Sequence, residues 1–212
     1  MRKGLTEIVF ILDESGSMHG LEDSTMGGYN TLLARNKEME GEALFSTVTF
    51  NHEVRVLHDR VDIDKVTPLM PGDYVPSGCT ALLDAVGGAI KHIKKVHAAL
   101  PEGERPEHVL FAITTDGLEN ASHRYTYEKV KRMITKRQKK GWEFLFLGAD
   151  IDIAAEAERL GIKQDNAIPY HSDEAGTEAV FEALTVANAQ VRRCGHAAPS
   201  WADHVRQDNA SR

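Results

Sequence analysis

The stretch VFILDESGSM, residues 9–18, decides how this chain is read. Four apolar residues, Val9 to Leu12, run straight into Asp13 and Glu14, and two serines, Ser15 and Ser17, follow with Gly16 between them. The apolar run, which begins at Thr6, is the pattern of a short buried strand. The glycine lets the loop after it fold tightly enough for both hydroxyls to point the same way. In open α/β sheets ligands gather at the carboxyl ends of the strands, where strand order reverses. A strand that ends in short oxygen-bearing side chains is therefore a candidate site.

The rest of the chain supplies the other elements. Residues 24–40 carry Met26, Tyr29, Leu32, Leu33 and Met39 at helical spacing. Residues 43–50 read as a second strand, and the short Asn51-His52 link implies a hairpin, so the third strand, 53–57, is antiparallel to it. Residues 58–78 are punctuated by Pro68, Pro71, Gly72, Pro76 and Gly78 and read as irregular. Residues 81–100 form a long amphipathic helix stopped by Pro101. Strand 108–115, a basic helix over 125–140, strand 142–147, helix 151–160, a weaker strand at 166–169 and a last helix over 174–193 complete the pattern. Strands alternating with helices predict an α/β three-layer sandwich, a doubly wound and mostly parallel sheet. The expected organisation is one domain, residues 1–194, and a polar tail, 195–212, with Trp201 as an anchor.

Composition sets the class. The chain has 212 residues, 42% hydrophobic and 27% charged, with a formal net charge of −7, as in a soluble globular protein. The acidic balance argues against nucleic acid or an acidic membrane as partner. Cys79 and Cys194 lie far apart and form neither a disulfide framework nor a zinc signature. No apolar stretch reaches the ~18 residues of a membrane span, and Glu7 and Asp13 interrupt any signal-peptide core. The expected location is the cytoplasm.

Three oxygen-rich segments fall at strand ends or before a helix: Asp13 to Ser17, Gly78-Cys79-Thr80, and Asp116 after the strand ending FAITT. Singly, each fits a helix cap or a turn. Together, Asp13, Ser15, Ser17, Thr80 and Asp116 offer two carboxylates and three hydroxyls. Such hard donors favour magnesium, with manganese or calcium as alternatives, over zinc or copper. Two carboxylates neutralise a divalent ion, and an incoming carboxylate would be the strongest further ligand. Glu14 is expected to turn away from the ion or to solvent.

The sequence D-x-S-G-S-M (Asp13 to Met18), then G-x-T-x-L (Gly78 to Leu82), then T-D-G (Thr115 to Gly117), resembles the metal-ion-dependent adhesion site (MIDAS) of von Willebrand factor A (VWA) domains. The likeness covers roughly residues 5–193. It is closest to small stand-alone bacterial or phage members, a comparison supported by TDGLENAS and FLFLGADID. The resemblance implies a six-stranded sheet in order 3-2-1-4-5-6 with strand 3 antiparallel and helices on both faces. It implies magnesium bound directly by Ser15 and Ser17, by Thr80 directly or through water, and by Asp13 and Asp116 mostly through water. A partner protein's Asp or Glu would fill the open position, without catalysis. His19-Gly20 stand where a second acidic pair would follow, so one ion is expected. The functional expectation is a cytoplasmic adaptor or scaffold module. The alternatives are a metal-dependent phosphohydrolase using Asp13, which lacks a second acid at position 15 and any phosphate loop, and a self-associating structural subunit. The stretch KVKRMITKRQKK, 129–140, is a solvated face or a docking surface for an acidic partner. Cys79 is expected as a small buried filler, and His19 and His52 at the rim of the metal loop.

Overall fold

A computed structural model describes residues 1–211. Six strands form one sheet: β1 Arg2–Asp13, β2 Glu42–Phe50, β3 Val54–Asp62, β4 Pro106–Thr115, β5 Trp142–Ala149 and β6 Ala167–Tyr170. Their order is β3-β2-β1-β4-β5-β6. β3 is antiparallel to β2 and every other pairing is parallel, as anticipated. The helices are α1 Glu22–Lys37, α2 Leu82–Ala99, α3 Tyr127–Gln138, α4 Ile153–Leu160, α5 Glu174–Cys194 and α6 Asp203–Ala210.

Both faces of the sheet are covered, which explains the unbroken apolar runs in its strands. Side chains alternate across a strand. Ile8, Phe10 and Leu12 of β1 join a core with Tyr29, Leu32 and Leu33 of α1 and Val180, Phe181 and Leu184 of α5. Val9 and Ile11 join a second core with Val86, Ile90 and Ile93 of α2, Val130 and Ile134 of α3, and Leu160 of α4. Against the first core Gly28 allows α1 to press on α5, since a Cβ there would lie 2.2 Å from Cδ2 of Phe181. No helix among the described residues is long and apolar enough to cross a membrane.

Three segments depart from the sequence reading. β1 starts at Arg2, with its register against β4 shifting between Arg2 and Thr6 around Gly4, which adopts φ +75°. β3 extends to Asp62 through residues read as irregular. Arg60 takes φ +51° there, donates its backbone N–H to Ser46 Oγ at 2.9 Å, and places its guanidinium on the fully buried Glu7 at 2.9 Å. Residues 195–212, read as a polar tail, fold back as far as they are described. Pro199–Ala202 makes a 3-10 turn before α6, and Trp201, Ala202 and Val205 are buried in the α1/α5 core. Trp201 and Val205 lie one helical turn apart, so a mostly polar segment still buries one side.

Candidate metal site

β1 and β4 are adjacent and central, and both end at the same edge of the sheet. Asp13 closes β1 and Asp116 follows β4. Asp13 Oδ1 accepts the backbone N–H of Ser15 at 2.7 Å, the local turn that aspartate favours. Its Oδ2 accepts Thr115 Oγ1 at 2.5 Å. Ser15 Oγ and Ser17 Oγ are 3.1 Å apart, and Ser17 Oγ donates to Asp116 Oδ1 at 2.5 Å. Gly117 approaches closely enough that a Cβ on it would lie 3.5 Å from Thr80 Oγ1 and 3.6 Å from Ser17 Oγ. All five residues singled out in the sequence thus converge on one small region.

Backbone contacts hold the loops in register. Gly16 N–H donates to Gly78 O at 3.1 Å, and a Cβ at Gly16 would crowd that oxygen at 3.3 Å. Ser77 N–H donates to Glu14 O at 2.9 Å. Buried Met18 anchors the short 3-10 turn Gly16–Met18. Tyr74 donates its hydroxyl to Asp13 O at 2.6 Å.

The loop after Asp116 clasps the start of α2. Glu119 accepts Leu83 N–H at 2.8 Å, Ser122 Oγ accepts Asp84 N–H at 2.9 Å, and Asn120 Oδ1 accepts Thr80 N–H at 2.8 Å. The first-turn donors of a helix need such partners. Because Glu119 and Ser122 supply them from outside, and no side chain caps α2 at its N-cap Ala81, Thr80 is not spent as a cap. The motifs TDG and TDGLENAS contain Thr115, Glu119, Asn120 and Ser122 but gave them no role, and Ser172, whose Oγ lies 3.5 Å from Asp116 Oδ2, carried no signal in the sequence. Glu119 to Ser122 sit inside TDGLENAS, and that was the available signal.

Glu14 is turned away from the site, but not to solvent. It is buried, and its carboxylate receives Arg55 Nη2 at 2.8 and 3.0 Å and Val75 N–H at 2.7 Å. Cys79, expected as a buried filler, is exposed. His52 lies at the rim, against Gly78, where a Cβ would fall 2.2 Å from its Nδ1. His19 is exposed and pairs with Glu22 at 2.8 Å.

The electrostatics fit a cation. Asp13 is fully buried and Asp116 is 5% exposed. Burial pushes the Asp13 carboxyl up to about 6, against the opposing hydrogen bonds of Thr115 and Ser15. Burial also raises Asp116, against the Ser17 hydrogen bond. Among the described residues neither carboxylate has a Lys, Arg or His partner in an ion pair. Two buried acids beside three hydroxyls, without a protein counter-charge, make a donor set that suits a hard divalent ion. No group of three or more His, Cys, Asp or Glu side chains among the described residues is arranged to hold a metal.

No family model matches the chain, and no curated protein matches it. Solved structures do. Proximal thread matrix protein 1 from the mussel byssus is 16% identical at TM-score 0.57, over 92% of this chain and 46% of its own. That protein has also been solved with zinc in its MIDAS motif. The von Willebrand factor type A protein from Catenulispora acidiphila is 16% identical at TM-score 0.58, over 87% of this chain and 42% of its own. The vWF domain of the type V pili tip protein Mfa5 from Porphyromonas gingivalis is 13% identical at TM-score 0.58, over 85% of this chain and 93% of its own. The chain spans less than half the length of the first two proteins. Sheet order, the antiparallel third strand and these neighbours together give the chain the fold of von Willebrand factor A domains.

Proposed function

We propose that this protein is a cation-dependent protein-interaction module, an adaptor or scaffold acting in the cytoplasm. Asp13, Ser15, Ser17, Thr80 and Asp116 would hold one divalent ion. Magnesium suits the all-oxygen donor set best, with manganese or calcium as alternatives. When bound, the ion supplies a Lewis-acidic position for an Asp or Glu carboxylate of a partner protein. The observation that carries the reading is the pair of buried carboxylates, linked through serine hydroxyls and, among the described residues, in no ion pair with a protein cation. The solved zinc-occupied MIDAS motif of the mussel byssus protein supports metal at such a site.

The chain's own residues set the site's character. Ser15 N–H and Thr115 hold Asp13 in one orientation. Arg55 and Val75 keep Glu14 out of the site, so it does not supply a third negative charge or fill the partner's place. The phosphohydrolase alternative needs a second acid at position 15, where serine stands. Affinity capture of partners in magnesium and in chelator, with Asp13→Ala/Asp116→Ala as control, tests the reading. Retention should need both the ion and the two acids, and should vanish when the partner's contacting acid becomes its amide. Equal retention in chelator refutes it.

A further inference from the structure

We propose that the basic face built by α2 and α3 docks into the acidic groove between α1 and α5 of a second copy of this chain, so that the copies associate head to tail. α3 and the turn after it expose Lys129, Lys131, Arg132, Lys136, Lys139 and Lys140, with Glu128 the one acid of the helix. Neighbouring α2 adds exposed Lys91, Lys94 and Lys95. Arg137 differs, packing inward 5.4 Å from the Trp142 ring centroid. Among the described residues none of the nine exposed cations has a carboxylate in an ion pair. A merely solvated helix face usually intersperses acids at i,i+4 spacing. This one does not. Taking nine from the 25 Lys and Arg leaves 16 against 32 acids, so the rest of the molecule is strongly negative.

The complement lies on the other side of the sheet. Asp23, Glu174, Glu178 and Glu182 line a cavity of about 470 Å³ between α1 and α5, with Gly27 and Thr31 beside them. Glu182 is engaged by Arg35 at 2.5 Å. Asp23, Glu174 and Glu178 are exposed and outside any ion pair among the described residues. A Cβ at Gly27 would meet nothing within 4 Å, so a lysine carried on an incoming helix finds open space. Charges arranged this way on two partners steer encounter and fix register.

Because α1 and α5 cover one face of the sheet and α2 and α3 the other, each copy offers its two surfaces in opposite directions. Such a contact is heterologous and continues as a chain or ring instead of closing as a dimer. A long polyanion fits less well, since beyond the basic face it meets the acidic remainder of the molecule. Neither surface includes a residue of the candidate metal site, so the association is expected in chelator, and its failure leaves the metal reading untouched.

Sedimentation velocity in chelator tests this. The wild type should associate at about 10 mM salt, where the Debye length is about 30 Å, and dissociate at about 1 M, where it is about 3 Å. Lys131→Glu/Arg132→Glu/Lys136→Glu and Glu174→Lys/Glu178→Lys should each stay monomeric at low salt, with circular dichroism reporting an intact fold. Mixed, the two variants should associate again, because each restores the other's contact with reversed sign. A wild type that stays monomeric at low salt overturns the proposal. So does a mixture that stays monomeric, or an α3 face that binds duplex DNA or phosphatidylserine vesicles while the copies ignore one another.

Discussion

Replacing Asp13 with asparagine should stabilise the protein in chelator and destroy its response to cations. Burial raises the Asp13 carboxyl from its ordinary 3.8 to about 6. Each pKa unit corresponds to about 1.4 kcal/mol, so ionised Asp13 costs the cation-free fold about 3 kcal/mol at neutral pH. The folded pKa lies above the unfolded one. The wild type therefore escapes this cost below about pH 4, loses stability as pH rises, and bears the full cost above about pH 6. Asp13→Asn removes the charge and keeps the shape. The amide oxygen still accepts Ser15 N–H, and Thr115 Oγ1 can accept from the new amide while donating to Gly117 O, 3.1 Å away. For a domain of this size the variant should melt roughly 5–10 °C higher at pH 8 in chelator, and the gap should close by about pH 4. A divalent ion at a thousandfold its Kd reverses the ranking, since it adds about 4.1 kcal/mol to the wild type alone. Thermal melts by circular dichroism, with chelator and with magnesium across pH 4–8, read all of this. A variant no more stable than wild type at pH 8 in chelator, or one that gains equally from magnesium, would refute the reasoning.

Other perturbations probe the supports. Arg60→Ala removes the guanidinium from fully buried Glu7 and leaves His97 Nε2, 3.0 Å away, as the remaining partner. Urea denaturation should show a loss of about 3 kcal/mol. Trp201→Ala empties a fully buried site and should cost about 3–5 kcal/mol by the same measurement. A change below about 0.5 kcal/mol would mean that the C-terminal turn does not pack there in solution. Asn120→Ala takes the acceptor from Thr80 N–H and should cost about 1–2 kcal/mol. It should also weaken cation affinity severalfold in calorimetric titration, whereas an unchanged affinity would separate the clasp from the site.

Particular residues show why some of this was legible in sequence and some was not. Asp13, Ser15, Ser17 and Asp116 stand at or just past the ends of apolar runs, and the right-handed winding of such sheets together with the VWA-like motif put them at one sheet edge. The Asn51-His52 link fixed β3 as antiparallel for a local reason. The extended part of β3 pairs with β2 and sets Arg60 on Glu7, 53 residues away, and no local propensity encodes that contact. The clasp over α2 is likewise non-local: Leu83 finds Glu119 36 positions on. Glu14 could be read as turned from the ion, but its burial against Arg55, 41 residues away, lay outside any pattern of spacing. Trp201 and Val205 were visible as apolar residues, and only the exposed flank of the α1/α5 core explains their burial.

The most direct measurement is calorimetric titration of chelator-stripped protein with magnesium and manganese, beside Asp13→Ala/Asp116→Ala checked for fold by circular dichroism. The wild type should bind one ion per chain, competed off by chelator, and the variant none. A wild type that takes up no divalent ion, or a variant that binds as the wild type does, would contradict it.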